Sequence, residues 1–567
     1  MTRCLIAVSL ALLSTVALQV EARTKPTVTE QQIKECKALI TKCSEKYPNA
    51  PTNKAECVDG CKCMTMALSL WLIPIALFVL LIYVCYKCEY PAHYKLMNEM
   101  VKKHGPPFWP IIGTWGPVGS EAITQFLQHL TTTYASPMYA KFGWQYTVMV
   151  YKAEHVEAVL TDNKNLRKPF AYDFIRPWFG NGLLTSSDAE WHRQRKLLTP
   201  SFHFRILSDF VPIMNEAAQT LVQCLKYRAM ARQPFDICHA VTMCALDIIM
   251  ETSMGHRIDA QRNPDPPYAR AISTFTESLT ERIARPWLWP DLMFAISGAG
   301  RRSHHALKVL HGWTSKVMMD REYELKRRAL MQSNSGVELE RRPLAFLDLL
   351  LQLKQTGQLT QTEVQQQVDT FMFEGHDTTT HGVIWALYCL AANPETQERA
   401  RDEILVISGD DKTSPITTGH LPQLKYLDCC IRETLRLYPS VPVVARYNDH
   451  SLTLDADHSL PPGVMLSIDF YRLHRDPSHF PDPLKFDPDR FLAENTASRH
   501  PFAYCPFAGG PRNCIGQRFA LMELKIVLST LIKNFRFETS TNPEDCGVVY
   551  QVICRPAKPM LLTLTPL

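Results

Sequence analysis

Pro506-Phe507-Ala508-Gly509-Gly510-Pro511-Arg512-Asn513-Cys514-Ile515-Gly516-Gln517-Arg518-Phe519-Ala520 carries more chemistry than any other stretch of the chain. Gly509 and Gly510 permit a tight turn and a close backbone approach to a flat cofactor. A helix is predicted directly after Cys514. The turn and the helix start then aim backbone N–H groups at the sulfur, which lowers a thiol's pKa. A thiolate is the axial ligand a haem iron needs when an O–O bond is to be split, because the sulfur pushes electron density through the metal. The planar fork of Arg512 matches a carboxylate such as a haem propionate. A lone cysteine at a helix start is usually just a buried one; the stretch around Cys514 moves the reading to a haem ligand.

Outward from this loop the pattern is mainly α with small β-sheets. Downstream a helix is predicted over Ile515–Phe535. Upstream, Leu424–Leu437 is a second helix, ended before Pro439, in which Glu433 and Arg436 share a face and can pair. Thr362–Ala392 is a long helix with Val364, Val368, Phe371 and Met372 at helical spacing, stopped by Asn393-Pro394. Within it, Glu374-Gly375-His376-Asp377-Thr378-Thr379 contains poor helix formers whose side chains compete for backbone groups, which predicts a local kink. Strand-prone pieces lie at Gln145–Tyr151, Ser451–Leu454 and Val464–Ser467. The polar run Arg327–Arg342 reads as a surface loop. Trp191 and Arg195 lie one turn apart on a helix after Ser186-Ser187-Asp188; the plain alternative there is an exposed basic helix with Arg193 and Lys196. No period of 20–50 residues repeats, which excludes a solenoid.

The pattern Phe507-x-x-Gly510-x-Arg512-x-Cys514-x-Gly516 resembles the haem-binding signature of the cytochromes P-450. The resemblance spans roughly residues 105–560. It implies the cytochrome P-450 fold with Cys514 as proximal ligand of the iron. It implies a buried charge network of Glu433, Arg436 and Arg490 (in Pro488-Asp489-Arg490-Phe491) that braces the haem pocket. Arg512, Trp191, Arg195 and Arg446 would hold propionates, and Asp377 and Thr378 would help to protonate dioxygen. The string Phe371-Met372-Phe373-Glu374-Gly375-His376-Asp377-Thr378-Thr379 looks like family four, as do Arg176–Leu184 and Leu198–Phe204. That branch includes hydroxylases of the terminal carbon of fatty acids, in which the residue at Glu374 can form an ester with a haem methyl group. The implied enzyme is a monooxygenase using O2 and NADPH-derived electrons. No Gly-x-Gly-x-x-Gly opens a strand–helix unit, so a separate membrane-bound NADPH reductase is implied, with cytochrome b5 as a second candidate partner. Two other readings stay open: a haem-thiolate isomerase or dehydratase acting on lipid peroxides, and a non-catalytic haem-binding homologue. The Asp377-Thr378 pair argues against the first and the full residue set against the second.

The 567 residues are 46% hydrophobic and 21% charged, ordinary globular composition with a large core. A formal charge of +5 gives no case for nucleic-acid binding, which needs a clustered basic face. Of 18 cysteines, Cys36, Cys43, Cys57, Cys61 and Cys63 crowd one polar segment, and most of the rest sit in apolar runs as small hydrophobes.

Residues 1–22 read as a secretory signal or a first anchor, and 64–86 as a transmembrane helix of the ~20 residues a bilayer needs. Lys87, Lys95, Lys102 and Lys103 after it orient the C-terminal part to the cytosol. The expected organisation is therefore a short lumenal cysteine-rich segment at 23–63, held by disulfides or loosely ordered. A linker with a proline-rich hinge comes next at 87–110, then a cytosolic catalytic domain at 111–567. The expected location is the endoplasmic reticulum membrane, single-pass. Cys85 and Cys88 are either acylated or plain surface residues.

Overall fold

The computed structural model describes residues 91–108, 113–114, 116, 119–263, 267–335, 344–541 and 543–567. The signal, lumenal and membrane-spanning assignments fall outside the described residues. Among the described residues no helix is long and apolar enough to cross a membrane. The chain divides into Met1–Asn98 and Glu99–Leu567, and among the described residues the strands and the helical body belong to the second unit.

Helix α1 (Pro91–His104) lies within the expected linker and stops where Gly105-Pro106-Pro107 begins, as three prolines in seven residues require. After α2 (Ser120–Thr133) come strands β1 (Met138–Phe142) and β2 (Gln145–Val150). The helical body is built from α3 (Asp188–Leu198), α4 (Cys238–Met254), α5 (Pro267–Ala284), α6 (Gly298–Ser335), α7 (Gln361–Ala392) and α8 (Lys425–Leu437). Strands β3 (Val443–Asn448) and β4 (Val464–Asp469) precede α9 (Gln517–Asn534), and the hairpin of β5 (Val548–Gln551) and β6 (Ile553–Pro556) comes near the end. The mainly helical architecture with small sheets is the expected one.

Helix α7 organises the core. Thr360 and Glu363 form its capping box, the Thr360 hydroxyl accepting from the Glu363 N–H at 3.2 Å and the Glu363 carboxylate from the Thr360 N–H at 2.7 Å. Val383–Ala391 are buried on every side, so this is a central helix rather than an amphipathic one. The kink expected at Glu374–Thr379 is not a break: the helix runs through without interruption. The threonine hydroxyls do compete for backbone, Thr378 donating to the Glu374 carbonyl at 2.6 Å and Thr379 to that of Gly375 at 3.0 Å, yet these bonds add to the ladder and leave it intact. Gly375 serves close packing, since a Cβ there would lie 2.4 Å from Ile249 of α4.

The loop expected at Arg327–Arg342 is corrected over 327–335, where α6 continues to Ser335, and the remainder lies outside the described residues. Ion pairs one turn apart, Lys326–Glu322 and Arg328–Glu324, support a polar helix there without an apolar stripe.

The four-stranded sheet has the order β1-β2-β4-β3. β2 and β4 are parallel, with Thr147 opposite Met465 and Met149 opposite Ser467, and the other pairs are antiparallel. A parallel pair needs a crossover, and here the crossover is the whole helical body. Strand alternation puts Gln145, Thr147 and Met149 on one face with Met465 and Ser467, and that face borders a large cavity.

Candidate active site

The cavity, of about 670 Å³, lies between α7, the cysteine loop and the sheet. Cys514 is exposed to it. The loop that presents the sulfur depends on two left-handed residues, Ala508 (φ 57) and Gly510 (φ 66). At Gly510 a Cβ would sit 1.8 Å from the Leu160 carbonyl oxygen, so no other residue fits that approach. The Cys514 N–H donates to the Phe507 carbonyl at 3.0 Å, which closes the loop.

The backbone N–H groups of Gly516 and Gln517 do point at the sulfur and favour the thiolate. Burial nevertheless dominates, with Glu374 acting in the same sense, and pushes the thiol up to about 11. The lowered pKa expected from sequence is therefore corrected: the chain alone leaves a thiol, and a cation is needed to hold it as thiolate.

On α8, Glu433 and Arg436 are completely buried and paired through two bonds of 2.7 and 2.8 Å. Arg436 also donates to the carbonyls of His474, Pro483 and Lys485, and the Asp487 N–H donates to Glu433 at 2.8 Å. Arg490 approaches the same carboxylate at 3.5 Å. All three residues of the expected network are thus brought together. Arg195 grips the loop itself, donating to the Asn513 backbone carbonyl at 2.9 Å and side-chain oxygen at 2.8 Å.

A second charged group lines the cavity: Lys168, Arg446 and Arg512. Arg512 donates to the carbonyls of Leu166 and Ser186 and lies 4.8 Å over the ring of buried Trp191. Arg446 donates to the Ala445 carbonyl at 3.1 Å, and Lys168 sits 4.2 Å over the Tyr172 ring. None of the three is ion-paired with a carboxylate among the described residues. Burial, reinforced by mutual repulsion, pushes Arg512 down to about 9 and lowers Lys168; burial lowers Arg446. Arg446 is buried and Lys168 and Arg512 are half-buried, and cations so placed without a bonded anion are unfavourable unless one arrives from outside the chain. A porphyrin with two propionates and an iron to take the Cys514 sulfur fits this donor set on both counts.

Glu374 and Asp377, one turn apart on α7, live differently. Glu374 faces the cavity, and burial pushes its carboxyl up to about 7 against the pull of Lys168 and Arg512. Asp377 does not line the cavity. Its carboxylate accepts from Arg555 at 2.6 Å and lies 3.5 Å from His381 Nδ1, which also donates to the Asp377 carbonyl at 2.8 Å. Burial pushes Asp377 up, but Arg555, His381 and His376 together bring it below the usual carboxylate range. Thr378 does line the cavity. The acid–alcohol pair therefore straddles the helix, alcohol inward and acid outward.

Lys168, Asn513 and Arg555 were not singled out in the sequence. Lys168 and Arg555 lie in stretches without a motif, and only the fold brings Arg555 to Asp377, 178 residues away.

A family model described as Cytochrome P450 matches residues 104–563. Cytochrome P450 4V2 of Mus musculus is 43% identical over 419 residues, covering 72% of this chain and 78% of its own. Cytochrome P450 4c3 of Drosophila melanogaster is 40% identical over 438 residues, 75% of this chain and 81% of its own. Cytochrome P450 4V2 of Homo sapiens is 40% identical over 464 residues, 80% and 88%. The chain belongs to the cytochrome P450 family, and its relatives here are members of family four. It is a monooxygenase; membership implies haem, O2 and NADPH-derived electrons delivered by a redox-partner reductase.

Proposed function

We propose that this P450 adds one oxygen atom at the terminal carbon of a fatty acid or related lipid. The observation that carries the reading is Glu374: a carboxyl held near neutrality on the wall of a cavity that is otherwise mostly apolar. A terminal methyl has the strongest C–H bond of an alkyl chain, so reaching it requires a pocket stiffened near the reacting centre. Glu374 is the candidate for an ester to a haem methyl group, which would supply that stiffness.

In the same reading Cys514 is the axial ligand, Arg512, Arg446, Trp191 and Arg195 hold propionates, and Glu433, Arg436 and Arg490 brace the pocket. The haem supplies the oxygen chemistry when bound. The protein's own work is to seat the chain's end, exclude water and move protons. Asp377 must leave Arg555 to reach the cavity side, where the Thr378 hydroxyl lies, so that ion pair sets how readily protons pass. The lysines after residue 86 support a cytosolic catalytic unit behind a single N-terminal span in the endoplasmic reticulum membrane, within reach of a membrane-bound reductase and of cytochrome b5.

Membranes carrying the protein, a reductase, NADPH and saturated fatty acids of several lengths provide the test, with mass spectrometry to locate the added oxygen. A terminal alcohol that vanishes in Cys514→Ala is the expected result. Mid-chain products, or none despite a thiolate-type spectrum with carbon monoxide, would remove the terminal-carbon proposal. Acid extraction after turnover tests the ester: haem that leaves wholly unmodified counts against it.

A further inference from the structure

From the end of α5 the chain crosses to α6 by a strap, residues 285–297. It holds a tight turn, Pro286–Leu288, and a short helix, Asp291–Ile296. Pro286 and Trp289 of the strap line the cavity, as do Ile283 and Ala284 at the end of α5. Ile283 is also 44% exposed, so the wall between cavity and surface is one residue thick here. The short helix buries none of its residues fully. A segment with so little buried surface belongs to the part of a fold that opens most easily.

Three polar groups of the strap are tied to one side chain. Arg282, 3% exposed, donates to the carbonyls of Leu288 at 3.1 Å and Trp289 at 2.9 Å and to the Asp291 carboxylate. Its guanidinium lies 4.3 Å from the ring centroids of both Phe174 and Phe294. Phe174 belongs to the cavity wall and Phe294 to the strap, so the cation joins one to the other.

This clip positions Trp289. The indole meets Phe170 of the cavity wall at 4.9 Å between centroids and Trp144 edge-on at 4.8 Å. Trp144 is exposed and does not line the cavity, which leaves the Trp289 ring standing between cavity and surface. Its N–H donates to the Ile283 carbonyl at 3.1 Å. Gly143 makes room for it, since a Cβ there would lie 2.9 Å from the ring.

We propose that residues 285–297 form a gate, in which Trp289 is the plug a lipophilic ligand displaces on its way in or out, and Arg282 is the positioning residue that holds the plug shut. The gate governs the rate of passage and not which carbon is oxidised, so it does not depend on the terminal-carbon reading. A weaker clip raises the open fraction, which speeds entry and exit alike and leaves the affinity nearly unchanged.

The test is stopped-flow binding of 1-dodecylimidazole to the holoenzyme, followed by the change in haem absorption as the azole ligates the iron. That probe reports passage whichever lipid is the natural substrate. Arg282→Met is expected to raise the association and dissociation rate constants together by about tenfold, with Kd within about twofold of wild type. Trp289→Ala is expected to speed both steps to a similar extent. Asp291→Asn changes a side chain that is 98% exposed and leaves folding intact; it is expected to raise both constants by about twofold to threefold. Unchanged constants in Asp291→Asn and Arg282→Met overturn the gate. A change confined to dissociation overturns it as well, since that marks a binding contact. The products formed from palmitate separate the two readings. Mid-chain oxygen in wild type with both constants raised in the variants removes the terminal-carbon reading alone. Terminal oxygen in wild type with the constants unmoved removes the gate alone. A product pattern that shifts in Asp291→Asn without a change in rates also removes the gate, because the strap then shapes the pocket instead.

Discussion

Two clusters of basic side chains stand out, one around Glu433 and one on the cavity wall, and they differ in one respect. Around Glu433 the cations have their carboxylate: Arg436 is held by two bonds to it and Arg490 stands beside it. In the group of Lys168, Arg446 and Arg512 none is ion-paired among the described residues; Glu374 acts on Lys168 and Arg512 without bonding to either, and the guanidinium groups lean on backbone carbonyls and a ring. The first cluster is complete within the chain, and its bonds tie α8 to the segment from His474 to Asp487. The second is incomplete without an anion from elsewhere. Basic side chains therefore read as scaffold in one place and as a candidate binding site in the other, and the unpaired charges mark which is which.

Removing one partner from the complete cluster should have the largest effect. Glu433→Ala strands Arg436 in the interior and should lower stability by about 3–5 kcal/mol; denaturant unfolding of the holoprotein measures it. A loss under about 1 kcal/mol would mean that the cluster is not a scaffold. The incomplete cluster should respond in the opposite sense. Arg446→Met removes an unpaired buried cation, so the apoprotein should be no less stable. Haem affinity should fall by about 1.5–3 kcal/mol, the scale of a charge-assisted hydrogen bond. Haem transfer to an apo-acceptor reads the affinity, and apoprotein melting reads the stability. A variant that melts early yet keeps its haem would reverse the assignment of the two clusters.

The Asp377–Arg555 pair is a smaller complete unit, and pH tests it. Asp377 is depressed in the folded state, so its contribution is present above the unfolded value of about 3.9 and disappears as pH falls through the lower folded value. In Arg555→Gln the carboxyl loses its main partner and burial governs it. Its folded pKa then rises above the unfolded one, and stability should decline as pH is raised toward neutral. Circular dichroism melts across pH 4–7, on the order of the carboxyl range, distinguish the two slopes. Parallel profiles for wild type and variant would show the pair to be inert. The smallest effect belongs outside both clusters: Thr360→Ala removes one half of the α7 capping box and should cost about 1 kcal/mol in thermal unfolding, with haem binding unchanged.

Much of this was legible in the sequence because the informative residues are close together along the chain. Cys514 with its glycines, Glu433 with Arg436, and Glu374 through Thr378 each occupy a single turn or loop, where spacing alone fixes the neighbours. Lys168 and Arg555 were not legible, because nothing near them in the chain shows what they face. The length of α6 was misjudged for a different reason. Polarity suggested a loop at Arg327–Arg342, whereas α6 runs to Ser335, with ion pairs one turn apart leading into its last turns. The kink expected in α7 came from propensity; the helix continues through that stretch without a break, and Gly375 there packs close against Ile249. The thiol of Cys514 shows the same limit: the N–H groups were foreseeable, but burial, which decides the direction, belongs to the assembled structure.

The joining of Arg195 to Asn513, 318 residues further on, sets an order of events during synthesis. The loop that presents the sulfur and the strand β4 that roofs the cavity both come after α7 in the chain, so the pocket cannot close on a nascent chain until most of it has been made. Contacts of such separation form slowly, because long loops must be closed before they are rewarded. Cofactor capture is therefore a late step of maturation. A shortage of haem should leave a nearly full-length, partly assembled chain as the species exposed to chaperones and proteases.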